Sequence, residues 1–84
     1  MAYIIIFNSI WGRTYVGANG NVTVNYPIAL SQLFSAYVGQ AINSDNGNTD
    51  VVKFYSMPTN TSIRILNTAD GYGTTVFWEV KGLP

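Results

Sequence analysis

Two polar segments, 43–50 and 67–73, carry the side chains best suited to chemistry, and both lie between runs of apolar residues. Amides and carboxylates exchange hydrogen bonds with sugar hydroxyls, and an aromatic ring packs on the apolar face of a sugar. The pattern therefore predicts a surface that binds carbohydrate. The ligand-binding residues predicted in the two segments are Asn43, Asp45, Asn48, Asp50, Asp70 and Tyr72.

Turn formation is the alternative explanation for part of the same segments. Asn46-Gly47 and Asp70-Gly71 are dipeptides that two-residue hairpin turns favour, because Asn, Asp and Gly tolerate a positive φ. For these two dipeptides we favour the structural interpretation. The other polar residues of the segments stay available for a ligand.

Two residues outside these segments are also predicted to bind a ligand. Trp11 follows an apolar stretch and precedes Gly12 and Arg13, so it could anchor the chain, lie in a subunit interface or line the rim of a pocket. Arg64 lies on the polar side of a short strand. Such a residue is usually solvated, but in a small oligomer it could face a neighbour and hold a carboxylate or a sugar hydroxyl. The aromatic residues inside strands are predicted to belong to the core, and they are Phe34, Phe54, Phe77 and Trp78.

The residue types argue against catalysis. The sequence has no histidine and no cysteine, so a serine triad, a cysteine nucleophile and a zinc site lack their usual groups. A glycosidase needs two carboxyl groups in a defined arrangement, one of them held protonated by burial. Asp45, Asp50 and Asp70 instead lie in segments with the composition of solvated turns. We therefore expect a protein that is not an enzyme and has no cofactor.

Calcium is the one metal that the segment 45–50 could attract, because it is rich in oxygen ligands. The segment lacks the acidic spacing and the terminal glutamate of an EF-hand loop. No metal site is therefore assigned. A calcium-dependent lectin remains an alternative, and a chelator would change the melting temperature of such a protein.

The composition predicts that copies of the chain associate. A chain of 84 residues buries only about 60–65% of the surface that its unfolded form exposes, and without cysteine it has no disulfide. Small domains of this kind rely on a metal or on self-association. Only 10% of the residues are charged and the net charge is zero, which disfavours a soluble monomer. The aromatic residues, 14% of the chain, are of the type that interfaces use.

Nucleic acid and membranes are not expected as partners. Four basic residues balance four acidic ones and form no basic patch, which argues against nucleic acid. The apolar run 3–7 is too short to cross a membrane, and it has neither the basic flank nor the cleavage pattern of a signal peptide. We expect synthesis in the cytoplasm and no insertion into a membrane.

Short runs with period-two alternation, separated by Gly, Pro, Asn and Asp, predict an all-β domain of antiparallel strands. The chain is predicted to be one domain over 1–84, with 1–10 as an N-terminal strand or shaft-proximal segment and 11–82 as a β-sandwich. The predicted strands are 3–7, 13–16, 21–26, 34–42, 51–57, 62–67 and 75–81. The predicted inward residues are Val22, Val24, Tyr26, Ile63, Ile65, Val76, Trp78 and Val80.

The order of the strands also predicts where the loops lie. If each strand reverses direction relative to the one before it, the loops 17–20, 43–49 and 68–73 meet at one end. The loops 27–33 and 58–61 then meet at the other end. The first end collects most of the acidic residues and many amides, whereas all four basic residues lie within predicted strands.

Four features, taken in sequence order, resemble a known family. They are a strand ending in Tyr26-Pro27-Ile28-Ala29, a long strand 34–42, the segment Thr61-Ser-Ile-Arg-Ile, and a last strand with Phe77-Trp78 that ends at Gly82. Over 11–82 the chain is similar to the C-terminal tip domain of bacteriophage and prophage tail fibres, which is similar in turn to H-type lectins. The resemblance implies a six-stranded antiparallel sandwich that forms a homotrimer. It also implies distal loops that contact a bacterial surface glycan or protein.

Together these observations predict the receptor-binding tip of a phage tail fibre, located in the virion. A structural module that trimerises or caps a fibre without a ligand is one alternative, and a free-standing lectin is another. Binding on a glycan array would separate the first alternative from the other two functions.

Overall fold

The computed structural model describes residues 8–40 and 51–84, which form six β-strands. Within these two ranges no residue is helical. The strands are β1 (Asn8–Val16), β2 (Asn21–Asn25), β3 (Gln32–Gln40), β4 (Val52–Phe54), β5 (Ser62–Asn67) and β6 (Thr74–Leu83). The predicted strand 3–7, the predicted loop 43–49 and the dipeptide Asn46-Gly47 lie outside the described residues.

The strands form two antiparallel sheets of three strands each. Sheet A has the order β1-β6-β3 and sheet B the order β2-β5-β4. The last strand of the chain is the centre of sheet A, and it pairs with β1 from Asn8↔Gly82 to Val16↔Thr74. Only the connection from β4 to β5 stays within one sheet. The prediction of an all-β fold of about six antiparallel strands is confirmed for the described residues.

The core lies between the inner faces of the two sheets. Buried and exposed side chains alternate along β5 and β6, because successive side chains of a strand point to opposite faces. The predicted inward residues of these strands are all buried, and Val22 and Val24 pack against the core from β2. The buried apolar residues are Val16, Tyr26, Leu30, Val51, Val52, Ile63, Ile65, Ala69, Val76, Trp78 and Val80.

Trp78 fills the middle of this core with help from two neighbours. Gly12 pairs with it across strands, and a Cβ at position 12 would lie 2.9 Å from Cζ2 of the indole. The ring of Tyr26 stacks at a centroid distance of 6.3 Å. Its hydroxyl lies 2.9 Å from the carbonyl oxygen of Thr59 and 3.0 Å from that of Ser62, to which it donates. Burial raises the pKa of Tyr26 above its ordinary value, so the hydroxyl keeps its proton at neutral pH.

The connections gather at the two ends of the sandwich, as strand direction predicts. The turn 17–20 and the connection 68–73 form what we call the loop end, where Asn19 N–H donates to Ala69 O at 2.7 Å. At the opposite end Leu30 N–H donates to Asn60 O at 2.9 Å.

Several strand boundaries, among them those of β1, β3 and β4, and one turn differ from the sequence prediction. β1 begins at Asn8 rather than at 13, β3 begins at Gln32, and β4 is limited to Val52–Phe54. The dipeptide Asp70-Gly71 forms no two-residue hairpin turn, because β5 and β6 belong to different sheets. Among the described residues other than glycine, a positive φ occurs at Asn19, where it is 53°.

The assignment of Phe34 and Phe77 to the core is wrong. Phe34 is 50% exposed and Phe77 48% exposed. Phe77 follows an inward residue and precedes Trp78, so the alternation turns it outward. Phe34 lies where the register of β3 shifts, and an irregularity of this kind re-aims a side chain. Trp78 is buried and Phe54 packs against the core, as predicted.

Candidate functional site

The buried side chain of Asn67 joins three segments of the loop end. It is fully buried at the end of β5. Its Nδ2 lies 3.2 Å from Val16 O, 3.2 Å from Gly17 O and 3.0 Å from Tyr72 O, and donates to these carbonyls. Its Oδ1 accepts from Ala69 N–H at 2.9 Å. A strand end, a turn and a connection therefore share a single anchor.

Two of the predicted ligand-binding residues lie at this end. Asp70 is exposed in the connection between β5 and β6, where its carboxylate is accessible to a ligand. Tyr72 is partly buried and packs against the core, so much of its ring serves packing. The predicted residues that lie outside the described part of the chain are Asn43, Asp45, Asn48 and Asp50.

The outer face of sheet A carries four exposed aromatic rings, and we call it the aromatic face. The exposed fractions are 75% for Trp11, 64% for Tyr15, 63% for Tyr37 and 48% for Phe77. The first two lie on β1, and the others lie on β3 and β6. Tyr37 extends over Gly39, where a Cβ would collide with its ring. The rings thus cover all three strands of the sheet.

A carboxylate lies among these rings. Glu79 on the central strand pairs with Trp11 on one side and with Tyr37 on the other. One carboxylate oxygen accepts from Ser9 Oγ at 3.1 Å. The other is 3.7 Å from Lys81 Nζ in an exposed ion pair, which contributes little to stability because water screens it. The aromatic face is therefore amphipathic rather than purely apolar.

A shallow groove of about 370 Å³ lies beside Trp11, with Gly12, Arg13 and Phe77 as its other lining residues. Arg13 pairs with Phe77 across the strands. Within residues 8–40 and 51–84 its guanidinium has no hydrogen bond or ion pair. The groove can therefore accept apolar surface together with an acceptor for the guanidinium.

The outer face of sheet B is polar and carries Arg64. The Nε of Arg64 donates to Oδ1 of Asn21 at 2.9 Å. Its Cζ lies 4.0 Å from the centroid of the Tyr55 ring, in a cation–π contact. Lys53 is exposed on the neighbouring strand β4. This face, which we call the polar face, thus presents cationic groups and amides.

In the part of the chain that the structure describes, no three His, Cys, Asp or Glu residues come together in an arrangement that could hold a metal ion. Over the same residues, no helix has the length and apolar character to cross a membrane.

The described residues that were predicted to bind a ligand lie on three different surfaces of the sandwich. Trp11 and Arg64 lie on opposite outer faces of the sandwich, and Asp70 lies at the loop end. The sequence analysis missed Tyr15 and Tyr37 as surface residues. The sequence feature that indicates their surface position is the alternation along β1 and β3, which places every second residue on the outer face.

Three surfaces of the sandwich can therefore bind a partner, namely the loop end, the aromatic face and the polar face. They differ in chemistry, since the loop end carries the carboxylate of Asp70, the aromatic face carries exposed rings, and the polar face carries the cationic groups of Arg64 and Lys53. Comparison of the chain with protein-family models, with curated proteins and with solved structures finds no match.

Proposed function

We propose that the chain is a recognition module without enzymatic activity, which assembles through its aromatic face and binds a bacterial surface glycan or protein. The receptor-binding tip of a phage tail fibre, which the sequence resembles, is the proposed setting. The observation that carries the proposal is the exposure of four aromatic rings on one side of a sandwich whose other side is polar.

The size of the aromatic face supports a second copy of the chain as its occupant. With about 200 Å² of surface per ring, exposed fractions of 48–75% leave roughly 500 Å² of aromatic surface in water. A patch of about this size is at the upper end for a monomer. A standard interface buries about 800 Å² per partner. The four rings supply more than half of that area, and Arg13 and Ser9, both exposed on β1, extend it.

The charges support the same occupant. The chain has a net charge of zero and few charged residues, so repulsion between copies is weak. The aromatic face carries Arg13 without a partner in the described ranges, and it also carries Glu79. A neighbouring copy brings the same two groups, and a guanidinium of one copy can meet a carboxylate of the next.

Assembly through sheet A leaves the loop end and the polar face of every copy accessible. Several copies then present identical surfaces in a fixed arrangement, and weak contacts to a repeated glycan add up to high avidity. The proposed assembly is a homotrimer, as the resemblance implies.

The experiment compares assembly and binding in matched variants. Native mass spectrometry and light scattering would follow Trp11→Ser combined with Phe77→Ser, which removes two of the four rings. Tyr55→Ser is the control for assembly alone, because Tyr55 is 49% exposed, like Phe77 at 48%, but lies on the polar face. We expect an oligomer for the wild type and the control, and a monomer for the double variant. On a multivalent glycan array, binding by the oligomer should exceed binding by the double variant.

Two outcomes would refute the proposal. One is a wild-type chain that is monomeric at micromolar concentration. The other is an oligomer that binds no glycan and no bacterial surface, which would instead favour a structural module of the fibre.

A further inference from the structure

Arg64 on the polar face has the arrangement of a built receptor for an anionic group. Nε of the guanidinium donates to Asn21 Oδ1 at 2.9 Å, and its plane lies over the Tyr55 ring at 4.0 Å. These two contacts come from β2 and from the end of β4, on either side of the central strand β5. A long side chain that is otherwise flexible is thereby held in one place.

The N–H groups of the Arg64 guanidinium that these contacts do not use are the ones available to a ligand. A guanidinium has five N–H groups, and only the one on Nε is used by Asn21. Within the described part of the chain, the two Nη groups of Arg64 have no hydrogen-bond partner. They form a fork of the geometry that binds two oxygens of a carboxylate or phosphate.

The charge around Arg64 favours an anion as well. Lys53 is exposed on the neighbouring strand, two positions along the outer face from the pairing partner of Arg64. The acidic residues of the described part are Asp70 and Glu79, and neither lies on β2, β4 or β5. Exposed Thr23 is the direct partner of Arg64 on β2, and its hydroxyl can bond a sugar.

We infer that the polar face binds an anionic glycan, whose carboxylate or phosphate is held by the Nη groups of Arg64. The inference deepens the proposed function, because it takes a glycan as the ligand and names its class. Asn21 and Tyr55 are positioning residues that fix the guanidinium before the ligand arrives. Affinity rises when such ordering is complete in the free protein.

The test uses the intact chain and three sugars that differ at one group, namely glucose, glucuronic acid and glucose 6-phosphate. Binding is followed by NMR through the Nε–Hε signal of Arg64 and by titration calorimetry. We expect the acidic sugars to bind at least about tenfold more tightly than glucose, as a charge-assisted bidentate contact provides. The difference between glucuronic acid and the phosphate identifies the preferred anion.

The variants separate geometry from charge. Arg64→Lys keeps the positive charge but loses the fork, and it should abolish the preference for acidic sugars. Asn21→Ala and Tyr55→Leu should each weaken the binding of acidic sugars several-fold without changing the binding of glucose. Both substitutions leave the guanidinium of Arg64 less firmly positioned. Asn25→Ala is the matched control, since Asn25 is also exposed on the outer side of β2, whereas the described hydrogen bond of the Arg64 side chain goes to Asn21. It should leave binding unchanged.

The possible outcomes of these experiments distinguish a failure of this inference from a failure of the proposed function. Equal binding of the three sugars, with no effect of Arg64→Lys, overturns this inference but leaves the proposed function intact. No binding of any sugar, combined with no binding on a multivalent array, overturns both.

Discussion

The buried amide of Asn67 gives the sharpest test of how the loop end is held. Replacing it by alanine removes three donated hydrogen bonds and one accepted one. The carbonyl of Val16 and the N–H of Ala69 take part in the two bonds that are buried, so both groups lose their partner away from water. Gly17 O and Tyr72 O lie in part-buried contacts, where water can replace the lost donor.

The magnitude follows from the two buried groups. Leaving a buried donor or acceptor unsatisfied costs about 1–3 kcal/mol each, so we expect Asn67→Ala to lower the free energy of unfolding by about 2–6 kcal/mol. The total free energy of unfolding of a domain of this size is roughly 4–13 kcal/mol. The melting temperature should fall by about 10–50 °C, since each kcal/mol corresponds to about 4–8 °C in a domain of 60–100 residues.

Urea unfolding followed by circular dichroism, at one fixed protein concentration, measures this loss. Asn25→Ala is the control, because Asn25 is exposed on β2. A decrease for Asn67→Ala of less than about 0.5 kcal/mol, the range of an ordinary surface substitution, would contradict the reasoning. The loop end would then be held by its backbone contacts alone.

Two further predictions concern the core. Because burial raises the pKa of Tyr26, the folded state keeps this proton to higher pH than the unfolded state. The free energy of unfolding should therefore fall as the pH rises above about 10, and less steeply in Tyr26→Phe, which urea unfolding between pH 8 and 11 would measure. Gly12→Ala places a methyl group against Trp78 and should cost about 1–3 kcal/mol. The control Gly71→Ala, where nothing lies within 4 Å, should stay within about 0.5 kcal/mol, and equal losses in urea unfolding would contradict the packing argument.

The parts of the fold that the sequence predicts are those that depend on strand alternation alone. β5 has the predicted bounds, Ser62–Asn67, because Ile63 and Ile65 alternate with polar residues. The inward residues of β6, which are Val76, Trp78 and Val80, follow from the same spacing of two residues. The placement of the loops at two ends also follows, since it requires only that successive strands run in opposite directions.

The aromatic face was less accessible to sequence reasoning, because hydrophobicity and alternation disagree there. Trp11 and Phe77 are apolar but occupy outward positions. A preference for burying aromatic residues therefore assigns Phe77 to the core, whereas the pleat of β6 assigns it to the surface. The pleat prevails, because a residue cannot turn inward without turning both neighbours outward.

The anchors of the candidate sites depend on contacts between distant parts of the chain. Asn67 bonds to Val16 and Gly17, which are far away in sequence, and nothing in its local pattern distinguishes it from a turn residue. Arg64 was identified as a candidate, but its fixation by Asn21 and Tyr55 requires the order of strands in sheet B. Sequence periodicity does not provide that order.

The position of β6 affects the order in which the protein can fold during translation. β6 (Thr74–Leu83) leaves the ribosome after the other five strands, and it is the centre of sheet A. Until it emerges, β1 and β3 have no neighbour within their own sheet, and their unpaired edges and aromatic side chains remain open to wrong partners. Sheet B is complete once β5 has been made. The nascent chain therefore holds half of the sandwich until β6 has been made, and the sandwich then closes by long-range pairing, which is intrinsically slow.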